Sequence, residues 1–301
     1  MNHPYRQPCF INIGALHGDH LFLAQASSWS LLLLCLLLAG CSTRVVYYWL
    51  DVAIVWQLDD YFSLDRSQKR LLDNEVKGLM AWHRQYEVPR YAKDLDALAK
   101  AVASPMTPAQ VSRHLDAAQQ SLTRTLEDTV PRAVRLARTL TEAQVAMFMK
   151  DRLTRQAERE KEFADKPREE MLKEFRDKMN ERLVFWIGEV KPAQAPLVAQ
   201  WAQWQYELQA PWLEFQTAWT KELDRLMKQR QSQDFGAQLT ALLQQGDGLM
   251  DGRFTGYTDQ SRQRTVNWLS DLSQSLDISQ RAHLYSLLKG YARDFRQMSE
   301  G

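Results

Sequence analysis

The spacing of large apolar residues constrains this chain more than any other feature. Leu197, Trp201, Trp204, Leu208, Trp212, Phe215, Trp219, Leu223 and Leu226 follow one another in steps of three and four. That rhythm keeps all nine on one face of an α-helix and would scatter them in a strand. Val111, Leu115, Ala118, Leu122 and Leu126 repeat it, as do Leu284, Leu287, Tyr291, Phe295 and Met298. No segment alternates convincingly. The expected fold is therefore an all-α multi-helix bundle, with an elongated form open to it. Prolines mark the expected joints at Pro89, Pro105, Pro131 and Pro167, and Pro211 divides the tryptophan ladder into two helices or one kinked helix.

The expected helix starts share a chemistry. Asp65-Arg-Ser-Gln68, Thr107-Pro-Ala-Gln110, Thr141-Glu-Ala-Gln144 and Asp277-Ile-Ser-Gln280 each place an oxygen-bearing residue three positions before a glutamine. In a capping box the first side chain accepts from the N3 backbone N–H, and the glutamine reaches back to the cap's own N–H. Lys191-Pro-Ala-Gln194 has the proline but lacks the capping oxygen. The four good boxes fall at unequal intervals, which argues against a simple tandem repeat. Expected helices cover 65–87, 90–103, 108–129, 132–139, 142–165, 168–189, 192–210, 212–232, 234–245, 258–274 and 278–298. Within them, Lys150–Arg182 is dense in both charges and reads as a long exposed helix or hairpin, with i,i+4 pairs Glu169/Lys173 and Glu174/Lys178. The glycines Gly246, Gly248, Gly252 and Gly256 mark the best internal loop.

Upstream of the helical part lies an uncharged run from Leu31 to Leu38. It is too short to cross a bilayer well, which takes about 20 apolar residues, and suits a secretory h-region. It ends in Leu38-Ala39-Gly40-Cys41, which resembles the bacterial lipobox. The resemblance implies cleavage before Cys41, lipidation of its thiol, and anchoring to a membrane. Residues 1–40 are then a signal peptide, 41–62 a lipidated juxtamembrane segment rich in aromatics, and 63–301 the helical domain. Ser42 stands where an inner-membrane retention signal would carry Asp, so the resemblance implies the periplasmic face of the outer membrane. Cys9 and Cys35 leave with the signal, so no disulfide or cysteine metal site is expected.

Composition excludes more than it assigns. The 38 Lys and Arg against 37 Asp and Glu give a net charge of +1, which offers no basis for nucleic-acid binding. His83, His114 and His283 fall on separate expected helices without metal-ligand spacing. Neither a metal nor any other cofactor is expected. No nucleophile elbow or phosphate-binding glycine loop is present, so the reading is not an enzyme.

The densest unusual stretch runs from Leu58 to Leu95. Asp60, Tyr61, Leu64, Asp65 and Gln68, followed by Trp82-His83-Arg84, Pro89 and Tyr91, resemble a family of uncharacterised Gram-negative outer-membrane-type lipoproteins. That resemblance implies a lipoprotein and no activity. More weakly, Leu140-Thr141…Gln144 and Met106-Thr107…Gln110 resemble the L-T-x-x-Q motifs of Spy/CpxP-type periplasmic chaperones, although a good capping box gives the same letters.

The candidate interaction residues are Trp82, His83, Arg84, Trp204 and Trp212. Trp82 continues an apolar stripe, Arg84 is placed to pair with Glu87 or Asp60, and the tryptophan ladder is read as core rather than as an open groove. The expected role is interaction or structural, with an envelope protein as partner. The alternatives are a chaperone-like binder of unfolded periplasmic proteins and an enzyme acting on envelope polymers. Buried, convergent polar groups around Trp82–Tyr91 would favour the enzyme, and an open apolar cleft the interaction role. The lipobox reading predicts that Cys41→Ser abolishes metabolic lipid labelling and leaves uncleaved precursor on a gel. A labelled Cys41→Ser protein would refute it.

Overall fold

The structure is a computed structural model that describes residues 43–245 and 253–300. The lipobox residues Leu38, Ala39, Gly40 and Cys41, and the glycines Gly246, Gly248 and Gly252, lie outside the described residues. Among the described residues there are ten α-helices and no strand, an all-α multi-helix fold. They are α1 Thr43–Phe62, α2 Arg66–Tyr86, α3 Val88–Ala101, α4 Pro108–Thr139, α5 Glu142–Asp165, α6 Arg168–Ile187, α7 Ala195–Lys228, α8 Phe235–Gln245, α9 Arg253–Ser275 and α10 Ile278–Glu300.

The apolar residues gather in three clusters. The main core joins α1, α2, α3, α4, α5, α7, α8 and α10 through residues such as Leu72, Val76, Phe148, Phe215, Leu226, Phe235 and Met298. A second cluster holds Ala99, Val111, Leu115, Val266 and Leu288, and a third holds Met179, Leu183, Ile187, Trp268 and Leu272. The C-terminal helix α10 lies along α3, while α7 packs on α5, α6, α8 and α9.

The joint expected at Pro131 is absent, and of the two alternatives at Pro211 the single helix holds. Pro131 lies inside α4 and Pro211 inside α7, and both helices run through. An internal proline forfeits one backbone hydrogen bond and crowds the preceding turn. At Pro131 the segments on either side serve the same core; at Pro211 the segment before it serves the third cluster through Val198 and Trp204, and the segment after it the main core. Val130, Leu136 and Ala137 flank Pro131, and Trp212 and Phe215 follow Pro211. Tertiary packing outweighs the local penalty. The aromatic segment is itself a helix from Thr43 to Phe62, and its inner face (Tyr47, Ile54, Leu58, Phe62) belongs to the main core. The charged stretch spans α5 and α6, which join at Lys166–Pro167 and each pack on α7; Met171, Met179 and Leu183 of its apolar stripe are buried, and so is Arg152. Lys173 pairs with Asp177, and Glu174 with Lys166, rather than the i,i+4 partners expected.

The capping boxes form as expected, and they do more than cap. Asp65 Oδ1 accepts from Gln68 N (2.9 Å), and Gln68 Oε1 accepts from Asp65 N (3.0 Å). Thr141 and Gln144 repeat this at α5. The two glutamine amides then face each other. Gln68 Nε2 donates to Gln144 Oε1 (3.0 Å), and Gln144 Nε2 donates to Gln68 Oε1 (2.7 Å). Each remaining N–H reaches the carbonyl two residues before the other's cap: Gln68 to Thr139 O (2.8 Å), Gln144 to Ser63 O (3.2 Å). Ser63 holds φ 47°, a conformation unusual for a residue with a side chain, and so presents that carbonyl at the α1–α2 junction.

The same device recurs at the other pair. Gln194 and Gln280 exchange amide hydrogen bonds at 3.1 and 3.0 Å. Gln280 also donates to Glu189 O (3.0 Å), and Gln194 to Ser275 Oγ (3.1 Å). Lys191 supplies no capping oxygen, yet its N–H donates to Gln194 Oε1 (3.0 Å), so half of the box works. The fifth box, at Thr107, is held differently. Ser273 Oγ accepts from Met106 N and Ser270 Oγ donates to Met106 O, both at 2.9 Å. Gln280→Ala is expected to cost about 2–3 kcal/mol, because it strands the buried Gln194 amide and the Glu189 carbonyl. Thr141→Ala is expected to cost about 1 kcal/mol, the size of a lost N-cap. Urea unfolding of the two variants measures the difference.

Candidate functional site

Trp82, His83 and Arg84 occupy the last turn of α2, about 100° apart around the helix, so they face three directions. His83 points inward, between α1 and α3. Its Nδ1 lies 3.0 Å from Tyr47 Oη and its Nε2 3.2 Å from Tyr91 Oη. A neutral imidazole has one N–H and one acceptor nitrogen, so one tyrosine accepts from the ring and the other donates to it. The Tyr47 ring stacks on His83 at 5.9 Å, and Tyr91 continues the aromatic chain to Phe295 of α10 at 5.9 Å. Burial pushes the His83 pKa down, against the opposing pull of the Glu87 carboxylate.

Arg84 pairs with neither Glu87 nor Asp60. Its guanidinium lies over the rings of Tyr47 (5.8 Å) and Tyr48 (5.3 Å), a cation–π contact between α2 and the start of α1. Asp60 is exposed on α1. Glu87 is fully buried between α2 and α3 and takes other cations. Arg124 of α4 grips it with two hydrogen bonds, Nε to Oε1 at 2.9 Å and Nη2 to Oε2 at 3.0 Å, while donating to Ser121 Oγ at 2.8 Å; Arg90 adds a further ion pair. Burial alone would raise the Glu87 pKa, but the hydrogen bonds from Arg124 and Arg90 outweigh it and the carboxyl lies below its ordinary value. Trp82 is half-buried against the rings of His83 and Tyr86. The structure therefore gathers buried Tyr47 and Glu87 and half-buried His83, Tyr91 and Arg124 into one polar cluster where four helices meet.

The other candidates lie in different surroundings. Trp204 is half-buried beside the third cluster, with the Arg264 guanidinium 5.6 Å from its ring. Trp212 is half-buried against the main core and stacks on Phe215 at 5.3 Å. The tryptophan ladder is thus core at its C-terminal end, where Phe215, Trp219, Leu223 and Leu226 are buried, and half-covered before Trp212.

A buried basic group also lies in the seam between α5 and α7. Arg152 donates to Thr220 Oγ1 at 3.3 Å, and its guanidinium lies 5.3 Å from the Trp219 ring; burial brings its pKa down to about 10. Sequence reasoning passed over it within a charge-rich stretch. Arg124 was missed for the same reason, since nothing local distinguishes it from the other arginines of its helix. No group of three His, Cys, Asp or Glu residues able to hold a metal ion occurs among the described residues, and none of their helices is long and apolar enough to cross a membrane.

By its fold this is an all-α protein whose best-defined polar feature is a closed tyrosine–histidine chain beside a buried ion pair. The chain belongs to the family described as "Family of unknown function (DUF6279)", which matches residues 60–254 and so takes in α2 to α8 and the cluster's His83, Glu87, Tyr91 and Arg124. Neither a curated protein nor a solved structure gives a match.

The site makes a pH prediction. The His83 pKa is lower in the folded chain than in the unfolded one, so below about pH 6.5 the unfolded chain binds the extra proton. Its share of stability is complete above that pH and is lost as pH falls toward the folded pKa. His114, also lowered by burial, acts in the same direction. The urea midpoint should fall between about pH 7 and about pH 5, and His83→Gln should make that fall shallower. An unchanged slope would show that His83 is not held neutral.

Proposed function

We propose that this protein is a lipoprotein anchored through Cys41 to the outer membrane, with its helical body in the periplasm in a non-enzymatic interaction or structural role. The observation that carries the non-enzymatic part is the engagement of the candidate groups with one another. Both nitrogens of His83 have tyrosine partners, and both oxygens of Glu87 are held by arginine. A general acid or base must present its proton to a substrate. Here the same atoms join α1, α2, α3 and α4. A cluster of this kind fixes the position of α1, the helix that begins two residues after Cys41.

The enzymatic alternative rests on a specific observation too: buried polar groups do converge around Trp82–Tyr91, as an active site acting on envelope polymers would need. The chaperone-like alternative has less support, because Thr107 and Thr141 both serve as helix caps.

Photo-crosslinking in living cells, from Tyr86 beside Trp82 and from Gln203 beside Trp204, separates the three. Capture of one envelope protein is expected. Capture of glycan strands would favour an enzyme, and of many unrelated unfolded chains a chaperone. His83→Gln should leave the crosslinking pattern in place if the histidine is structural.

A further inference from the structure

α1 is apolar on both sides. Its inner side enters the core through Tyr47, Ile54 and Leu58. Its outer side carries Trp49, Ala53 and Trp56, and the two tryptophans are 65% and 69% exposed. Seven residues separate Trp49 from Trp56, so they lie within about 20° of each other around the helix; Tyr47 lies about 160° away. Tyr48 and Leu50 flank them, also exposed. Four of the ten exposed large hydrophobics among the described residues therefore sit on this one helix, within nine positions, while the other six are spread over α2, α5, α6 and α10. Scattered apolar residues need no explanation, but a contiguous aromatic strip does.

We infer that this strip rests on the surface of the lipid bilayer, with α1 lying along the membrane plane, its tryptophans at headgroup depth. The inference rests on the anchored reading of Cys41. α1 begins at Thr43, so an acylated Cys41 brings its first turn to the bilayer. At about 1.5 Å per residue Trp49 lies ~9 Å along the helix and Trp56 ~20 Å. Both reach the interface together only if the helix lies flat, and their shared face permits that. Tryptophan is enriched at membrane–water interfaces because its ring is apolar and its N–H polar. The strip from Tyr48 to Trp56 exposes no lysine or arginine, and Asp60 is the first exposed charge beyond it. The contact is therefore apolar and aromatic, without a need for anionic lipid.

The test uses the full chain, purified from membranes, checked for acylation by mass spectrometry and reconstituted into phosphatidylcholine vesicles whose acyl chains are brominated. Bromine quenches tryptophan only at close range. Wild-type emission should drop relative to unbrominated vesicles, and Trp49→Phe/Trp56→Phe should lose at least half of that drop. The phenylalanines keep the face apolar and remove the two reporters, and circular dichroism checks the fold. An acylated protein whose quenching is absent, or is the same in the double variant, overturns the inference. A second copy covering the strip would give that result together with a dimer in sedimentation. Quenching without acylation would keep the bilayer contact and refute the anchor. Absence of both would refute the two together.

Discussion

Helix starts are the constraint on which this bundle depends. Every α-helix leaves its first backbone N–H groups without partners, and the ten helices among the described residues multiply that problem. Here the solution is shared between helices. Two caps meet, and each glutamine serves its own backbone with its oxygen and the opposite junction with its nitrogen. One pair joins Gln68 to Gln144, the other Gln194 to Gln280. Gln194 and Gln280 are each only 1% exposed. The net gain from each hydrogen bond is about 1 kcal/mol, but leaving any buried amide unmatched costs about 1–3 kcal/mol. The larger effect is therefore on specificity. A helix shifted by one residue would break its own cap and strand its partner's, so the amide pairs fix register in a way that apolar packing alone does not.

The position of α1 depends on a second set of polar contacts. Gln144 holds the Ser63 carbonyl at its C-terminal end, and Asp59 accepts from Leu64 N and pairs with Lys69. At the other end Tyr47 is tied to His83, and Arg84 covers Tyr47 and Tyr48. A helix held at both ends has a defined rotation about its axis. Burying Glu87 is affordable only because two arginines meet it; removing one partner of a buried ion pair is far more damaging than never having had the pair.

The local chemistry was readable in the sequence, and its long-range use was not. Asp65, Thr107, Thr141 and Asp277 declare themselves as caps because a cap is decided within four residues. That Gln68 should find Gln144, across α2, α3 and α4, depends on how those helices pack. Lys191-Pro-Ala-Gln194 lacks the capping oxygen that marks a box in sequence, yet its glutamine takes part in an interlock as fully as the others. The expected joint at Pro131 is absent because proline's cost is local, while the packing that overrides it is not; at Pro211 the one-helix alternative holds. At the site, Trp82, His83 and Arg84 could be singled out as neighbours in sequence. Their directions follow from helix geometry, but their partners Tyr47, Tyr48 and Tyr91 come from other helices. Glu87 was visible as a neighbour of Arg84 and went instead to Arg124, whose reach across from α4 has no sequence signal.

The clamp and the outer strip of α1 are two sides of one arrangement. Tyr47 and Trp49 are two residues apart and so point to nearly opposite sides of the helix. Whatever fixes Tyr47 against His83 therefore fixes where Trp49 and Trp56 face. If the chain is anchored as proposed, a loose tether would let the body turn freely about that anchor, and an exposed tryptophan would meet the bilayer only part of the time. With α1 packed into the main core and held by His83 and Arg84, its rotation is that of the whole bundle. On the proposed bilayer contact the clamp is the inner half of a joint whose outer half is aromatic, and the two together would set which surface of the helical body is turned away from the membrane.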